Sequence, residues 1–201
     1  MATHGLRGRK GMLAVLFLVA LILLPGCGKT GNKGGKKPKP GKLHFAVIPK
    51  GTAHPYWKAV HAGAAKAADE LGVNISWVGT DSESARAEQI KIVQNFISRG
   101  VNGMVLAPLD QEALVRPVES AVNRGIPVVI IDSGLNTDAY SSFVATDNTK
   151  GGRLGARRLG KIMDGDGRAI MMRYSPGSAS TGNREKGFLK EMKKKYPDIK
   201  L

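Results

Sequence analysis

From Leu43 onward the chain alternates short apolar runs with longer amphipathic ones. "LHFAVIP" (43–49) reads as a strand, and "YWKAVHAGAAKAADELG" (56–72) as a helix closed by Gly72. "NISWVG" (74–79) is the next strand. "SESARAEQIKIVQNFISRG" (82–100) is the next helix, with Ile90, Val93, Phe96 and Ile97 on one face at helical spacing. "VNGMVLAP" (101–108) and "IPVVIID" (126–132) are nearly continuous apolar runs, the pattern of parallel strands buried on both faces. The stretch between them should be helical from about Arg116–Pro117, with proline in the first turn, where its missing N–H costs least. Gly72, Gly100 and Gly125 each stand at a helix end, where a left-handed residue is easiest for glycine.

After an irregular stretch (133–141) the pattern continues. A strand is expected at 142–146, a helix at 148–164, a strand at 168–174 and a helix at 184–196, with "DIKL" as a strand just beginning. Strands separated by helices at this spacing predict βαβ units and an open parallel sheet covered by helices. The later run holds only two strands and two helices, thin for a sheet of its own, so the second unit is expected to be incomplete.

In open α/β sheets, ligands bind beyond the carboxyl ends of the strands. Those ends carry "KGTAHPYW", "APLDQ", "DSGLN" and "YSPGSASTGNR", a rim of polar, flexible and aromatic residues suited to a small molecule. His44, His54 and His61 lack metal-ligand spacing, and no nucleophile–base set emerges. No strand–GxGxxG–helix unit follows the first strand, so no nucleotide cofactor is expected. Binding without catalysis, with no metal and no cofactor, is the expectation.

The first 42 residues change the picture of charge and location. Arg7, Arg9 and Lys10 precede an apolar run of about a dozen residues, the length of a signal-peptide core and short of the roughly 20 that span a bilayer. The run ends in "LPGC", which resembles a bacterial lipobox with Cys27, the sole cysteine, as the lipidated residue; an ordinary signal peptide is the alternative. Residues 28–42 hold six lysines, no acid and no large apolar side chain, the composition of a disordered tether. Its lysines either lie against anionic headgroups or are simply solvated. The net charge of +15 includes nine cations in residues 1–42, leaving +6 on 43–201. Basic charge lies mostly in leader and tether rather than on one folded face, which argues against nucleic acid as a partner.

Several blocks in order, "HPYWKAVHAGAAKAADELG", "GVNGMVLAPLD", "GIPVVIIDSGL", "VATDNTKGG" and "NREKGF", resemble the type I periplasmic sugar-binding proteins, the ribose-binding group in particular. The resemblance implies an α/β fold of two Rossmann-like lobes with parallel sheets, joined by a three-strand hinge and closing on a sugar. It divides the chain into a lipoprotein signal (1–27), a tether (28–42), a first lobe (43–145) and the start of a second (146–201). It further implies a monomeric, exported receptor on the periplasmic or extracellular side, held to the membrane by lipid and delivering ligand to the membrane subunits of an ABC permease. A sensor component signalling to a membrane receptor or kinase is the alternative.

Site residues follow from the same resemblance. His54-Pro55-Tyr56-Trp57 matches the family turn that supplies a polar sugar contact and stacking aromatics; packing on the helix face is the other reading of Tyr56 and Trp57. Asp132-Ser133 stands where the family has Asp-Arg. A carboxylate can accept from two adjacent hydroxyls, while Ser133 departs from the arginine, so the ligand need not be ribose. Arg184 matches the second-lobe sugar-binding arginine, the alternative being an ion pair with Glu185 or Asp198. Lys50 stands at a small polar contact. Pointing into the cleft it would favour an acidic or phosphorylated sugar; otherwise it is an exposed lysine. Asp147 and Asn148 are expected to cap a helix, and Gly151 and Gly152 to allow close packing.

Overall fold

The computed structural model describes residues 41–201; Cys27, the leader and nearly all of the tether lie outside them. Strand β1 (His44–Ile48) leads through a polar turn to helix α1 (Pro55–Leu71). His54 stands extended at the N-cap, its Nδ1 accepting the Tyr56 N–H, and Pro55 opens the helix. Gly72, at φ +64°, ends it. β2 (Asn74–Trp77), α2 (Arg86–Arg99), β3 (Gly103–Leu106), α3 (Val115–Asn123), β4 (Val128–Ile131) and β5 (Ser142–Val144) follow. Pro117 lies in the first turn of α3, as its missing N–H requires.

These strands form one parallel sheet in the order β2-β1-β3-β4-β5. Phe45 pairs with Ile75 on one side and Gly103 on the other, so β1 lies inside the sheet, between β2 and β3. The chain runs from β1 outward to β2, then crosses back to β3. That reversal splays the loops after β1 and β3 apart and opens a crevice at their carboxyl ends. Gln89 of α2, wholly buried, fastens this point. Its Nε2 donates to the carbonyls of Ala107 (2.9 Å) and Pro49 (3.3 Å), and its Oε1 accepts the Leu109 N–H.

Period-two alternation carries the core. Ala46 and Ile48 of β1, Met104 and Leu106 of β3, and Val128 and Ile130 of β4 pack against Val93, Phe96 and Ile97 of α2 and Leu114, Val118 and Ala121 at α3. The face read from the sequence of α2 is therefore the buried one, with Ile90 at its margin.

After β5 the chain enters α4 (Asn148–Ile162), β6 (Gly167–Arg168), α5 (Ala179–Lys195) and β7 (Ile199–Lys200), with β6 and β7 paired in parallel. Asp147 caps α4, its Oδ1 accepting the Lys150 N–H at 2.8 Å. Ala156, Met192 and Ile199 form a small core with Leu159, Phe188 and Tyr196 packed on it. α4 and α5 cross backbone to backbone. A Cβ on Gly152 would stand 2.0 Å from the Arg184 carbonyl oxygen, and one on Gly187 2.1 Å from that of Thr149.

Three boundaries differ from the sequence expectation by four residues or more. α2 begins at Arg86 rather than Ser82, which leaves Glu83 in the loop after β2. Of the strand expected at 168–174 only Arg168 lies in a strand, β6, paired with β7 together with Gly167 before it. Ile170, Met172 and Tyr174 keep the alternation but lie exposed. α5 begins at Ala179 rather than Arg184: its first turn, poor in helix formers, is held by side chains, Thr181 Oγ1 reaching the carbonyls of Ser175 and Ser178.

Candidate ligand-binding cleft

The loops beyond β1, β2, β3 and β4 and the segment leading into α5 enclose a cleft of about 470 Å³. Six of the seven residues expected from the sequence line it: Lys50, His54, Tyr56, Trp57, Asp132 and Arg184. Ser133, only 1% exposed, lies behind this wall.

The turn after β1 places the aromatics. Tyr56 is 48% exposed and presents its ring to the cleft, meeting Trp57 edge-on at 4.8 Å. Trp57 is 3% exposed, and its Nε1 donates to Glu83 Oε1 at 2.8 Å. Trp57 thus serves as the floor on which Tyr56 stands. Because His54 Nδ1 accepts from the backbone, Nε2 is the ring nitrogen left for other partners.

Asp132 ends β4 with φ +64°, a left-handed conformation that aspartate tolerates better than most side chains. Its Oδ1 accepts from the Tyr56 hydroxyl at 3.2 Å, and its Oδ2 meets Lys50 Nζ at 2.9 Å. Partial burial, reinforced by the Asp132 charge and hydrogen bond, pushes the Tyr56 phenol above its ordinary range, with Arg184 pulling weakly the other way. Tyr56 is therefore a neutral O–H donor at physiological pH. Lys50 is not an exposed lysine. It is 5% exposed and gives its other donors to Ser178 Oγ (3.1 Å) and Ser180 Oγ (3.2 Å).

Arg184 enters from α5 on the opposite wall. Its expected alternative partner Glu185 pairs with Arg173 instead, at 2.8 Å. Among the described residues Arg184 makes no ion pair, so its guanidinium donors face the cleft unclaimed. Lys50 and Arg184 balance Glu83 and Asp132, leaving the four charged side chains of the lining with no net charge.

Sequence reasoning missed Glu83, Tyr174, Ser178, Ser180 and Thr181 as individual lining residues. Glu83 comes from the loop after β2, which carries no pattern marking it as a rim, yet it joins Trp57 to the Tyr174 hydroxyl (3.3 Å). The serines lie in "SPGSAS", where the two-residue spacing of Ser178 and Ser180 was the available signal.

Comparison with known proteins shows what the chain is similar to. The ribose import binding protein of Bacillus subtilis is 27% identical over 186 residues, covering 89% of this chain and 59% of that protein. A carbohydrate transporter solute binding protein from Agrobacterium radiobacter, solved in complex with D-arabinose, superposes with a TM-score of 0.78 at 34% identity, over 81% of this chain and 57% of that one. An ABC transporter solute binding protein from Agrobacterium vitis with bound D-fucose gives 0.75 at 36% identity, over 78% and 55%. The chain thus spans less than two thirds of the length of each of these relatives. The profile of the periplasmic binding protein domain matches residues 45–201, and with the sheet order and cleft described above it follows that this chain belongs to the periplasmic binding protein family.

Proposed function

We propose that the protein is the solute-binding component of an ABC importer, taking a sugar or sugar-like molecule between two lobes and releasing it unchanged to the permease. The observation that carries this reading is the composition of the cleft: Tyr56 and the Asp132 carboxylate on one wall face the unpaired Arg184 on the other. An aromatic face suits the apolar C–H side of a sugar ring, a carboxylate accepts from hydroxyls, and a guanidinium donates to ring and hydroxyl oxygens. Relatives named for ribose import, or solved with D-arabinose and D-fucose, support the same class. The site residues are Lys50, His54, Tyr56, Trp57, Asp132, Ser133 and Arg184, with Lys50 and Trp57 holding the cleft walls in place and Ser133 standing behind them. In this reading residues 1–27 are a lipoprotein signal, 28–42 a tether, 43–145 a first lobe and 146–201 the start of a second. Cys27 carries the lipid that holds a monomeric receptor on the outer side of the membrane.

A thermal-shift screen of the full chain against pentoses, hexoses, polyols and sugar phosphates tests this. A true ligand at a hundred times its Kd stabilises by about 2.7 kcal/mol, a shift of several degrees. Asp132→Ala should weaken that ligand more than tenfold, since a hydrogen bond to a buried charge contributes about 1.5–3 kcal/mol. Tyr56→Ala, which breaks no ion pair, should weaken it without unfolding the protein. A well-folded chain silent across the panel would remove the sugar assignment.

A further inference from the structure

We propose that Lys50 is a positioning residue that ties the two walls of the cleft together through protein atoms alone, so that the closed form is built into the chain before any ligand arrives. This rests on the two-lobe binding reading above and adds to it the device that sets the closing equilibrium.

An ammonium has three donors and no acceptor. All three of Lys50 are taken, one by Asp132 Oδ2 at the end of β4 and two by Ser178 and Ser180 at the start of α5. Lys50 and Asp132 follow two strands of one sheet, whereas Ser178 and Ser180 stand at the start of α5, so it is the two serine bonds that cross the cleft. Ser133, beside Asp132, completes the tie. Its hydroxyl accepts the Ser180 N–H at 3.0 Å and lies 3.4 Å from Ser178 Oγ. Ser178 Oγ in turn meets Ser180 Oγ at 3.1 Å. Ser178, the N-cap of α5, makes no cap bond within its own helix, and Ser133 supplies one from the other wall. Lys50, Ser133, Ser178 and Ser180 are all buried, where an ammonium or N–H without a partner is costly.

Two further contacts run between the same walls. The Gln111 N–H donates to the Gly177 carbonyl at 2.9 Å. A Cβ on Gly177 would stand 2.1 Å from Asp110 Oδ2, so this approach requires glycine. With its donors occupied, Lys50 offers nothing to a phosphate or carboxylate. Its place in the protein is between the lobes and not on the ligand.

The test measures the distance between lobes by electron–electron resonance in the full chain without ligand. Labels go on Lys91→Cys in α2 and Lys161→Cys in α4, both exposed, with Cys27→Ser to leave only these two thiols. The parent should give one short distance. Ser178→Ala with Ser180→Ala keeps the Lys50–Asp132 pair and removes only the acceptors across the cleft. It should lower the ratio of closed to open molecules by tenfold or more, adding a longer distance. Lys50→Met should do the same, and a urea titration confirms that each variant is folded. Distance distributions unchanged in both folded variants would overturn the proposal, as would a parent that is already open. The measurement needs no sugar. A silent sugar screen leaves its result standing, and an unchanged distance leaves sugar binding standing.

Discussion

Gly152 and Gly155 sit three residues apart on α4, and the same substitution at each should have opposite effects. Gly→Ala in a helix interior ordinarily stabilises by up to about 1 kcal/mol, because alanine has less backbone freedom to lose. At Gly155 the new methyl would find its nearest neighbour, Phe188 Cδ2, at 3.9 Å, an ordinary contact. At Gly152 it would meet the Arg184 carbonyl oxygen at 2.0 Å, with the Arg184 carbon and Phe188 nitrogen at 2.8 Å. These are backbone atoms that cannot rotate aside, and contact distances near 3.5 Å require α4 and α5 to separate by roughly 1.5 Å. Overpacking of this kind costs about 1–3 kcal/mol, and displaced backbone puts this case at the upper end, so Gly152→Ala should be a net loss of about 2 kcal/mol after a helical gain of about 1 kcal/mol. For a chain of this size each kcal/mol moves Tm by about 2–4 °C. Differential scanning calorimetry should therefore place Gly155→Ala a few degrees above the parent and Gly152→Ala about 4–8 °C below it. Equal shifts of one sign would refute close crossing of α4 and α5. The contact also bears on the cleft, since the residue pressed on Gly152 is Arg184. Gly152→Ala should weaken ligand binding, and Gly155→Ala should leave it unchanged.

Gln89→Leu should cost about 3 kcal/mol in urea unfolding, because it strands the Pro49 and Ala107 carbonyls and the Leu109 N–H at the crevice; a loss below 1 kcal/mol would show that water replaces it freely. Asp110 is pushed up by burial, but the N–H groups of Ala113 and Glu112 and the Arg86 guanidinium outweigh this and hold its carboxyl below the ordinary range. A carboxyl depressed on folding contributes stability that is present above its unfolded pKa, about 3.9, and is lost as pH falls through the folded value. Asp110→Asn should therefore flatten the decline of unfolding free energy between about pH 5 and 3, and parallel slopes for parent and variant would contradict that role.

Much of the architecture was legible in the residues themselves. The apolar run at 43–49 read as a strand, those at 101–108 and 126–132 as parallel strands buried on both faces, and Ile90, Val93, Phe96 and Ile97 as one helix face, because side-chain periodicity is a local property of the backbone. Gly72 and Gly100 ended their helices in the left-handed conformation that glycine adopts at least cost. His54, Tyr56 and Asp132 came to one cleft because strand ends in such sheets share one edge, while Arg184, on α5, was indicated only by the family resemblance.

What stayed hidden depends on groups distant in sequence. Lys50 read equally as an exposed side chain or an anion contact, and only Asp132, Ser178 and Ser180, brought together by folding, make it a buried tie. Trp57 read either as a stacking ring or as packing on the helix face, and its burial with the N–H given to Glu83 makes it part of the wall. The start of α5 was set by a cap from Ser133 on another element. Periodicity specifies which face of an element is apolar. Which polar group meets which is decided by distances between elements, and those exist only in the folded chain.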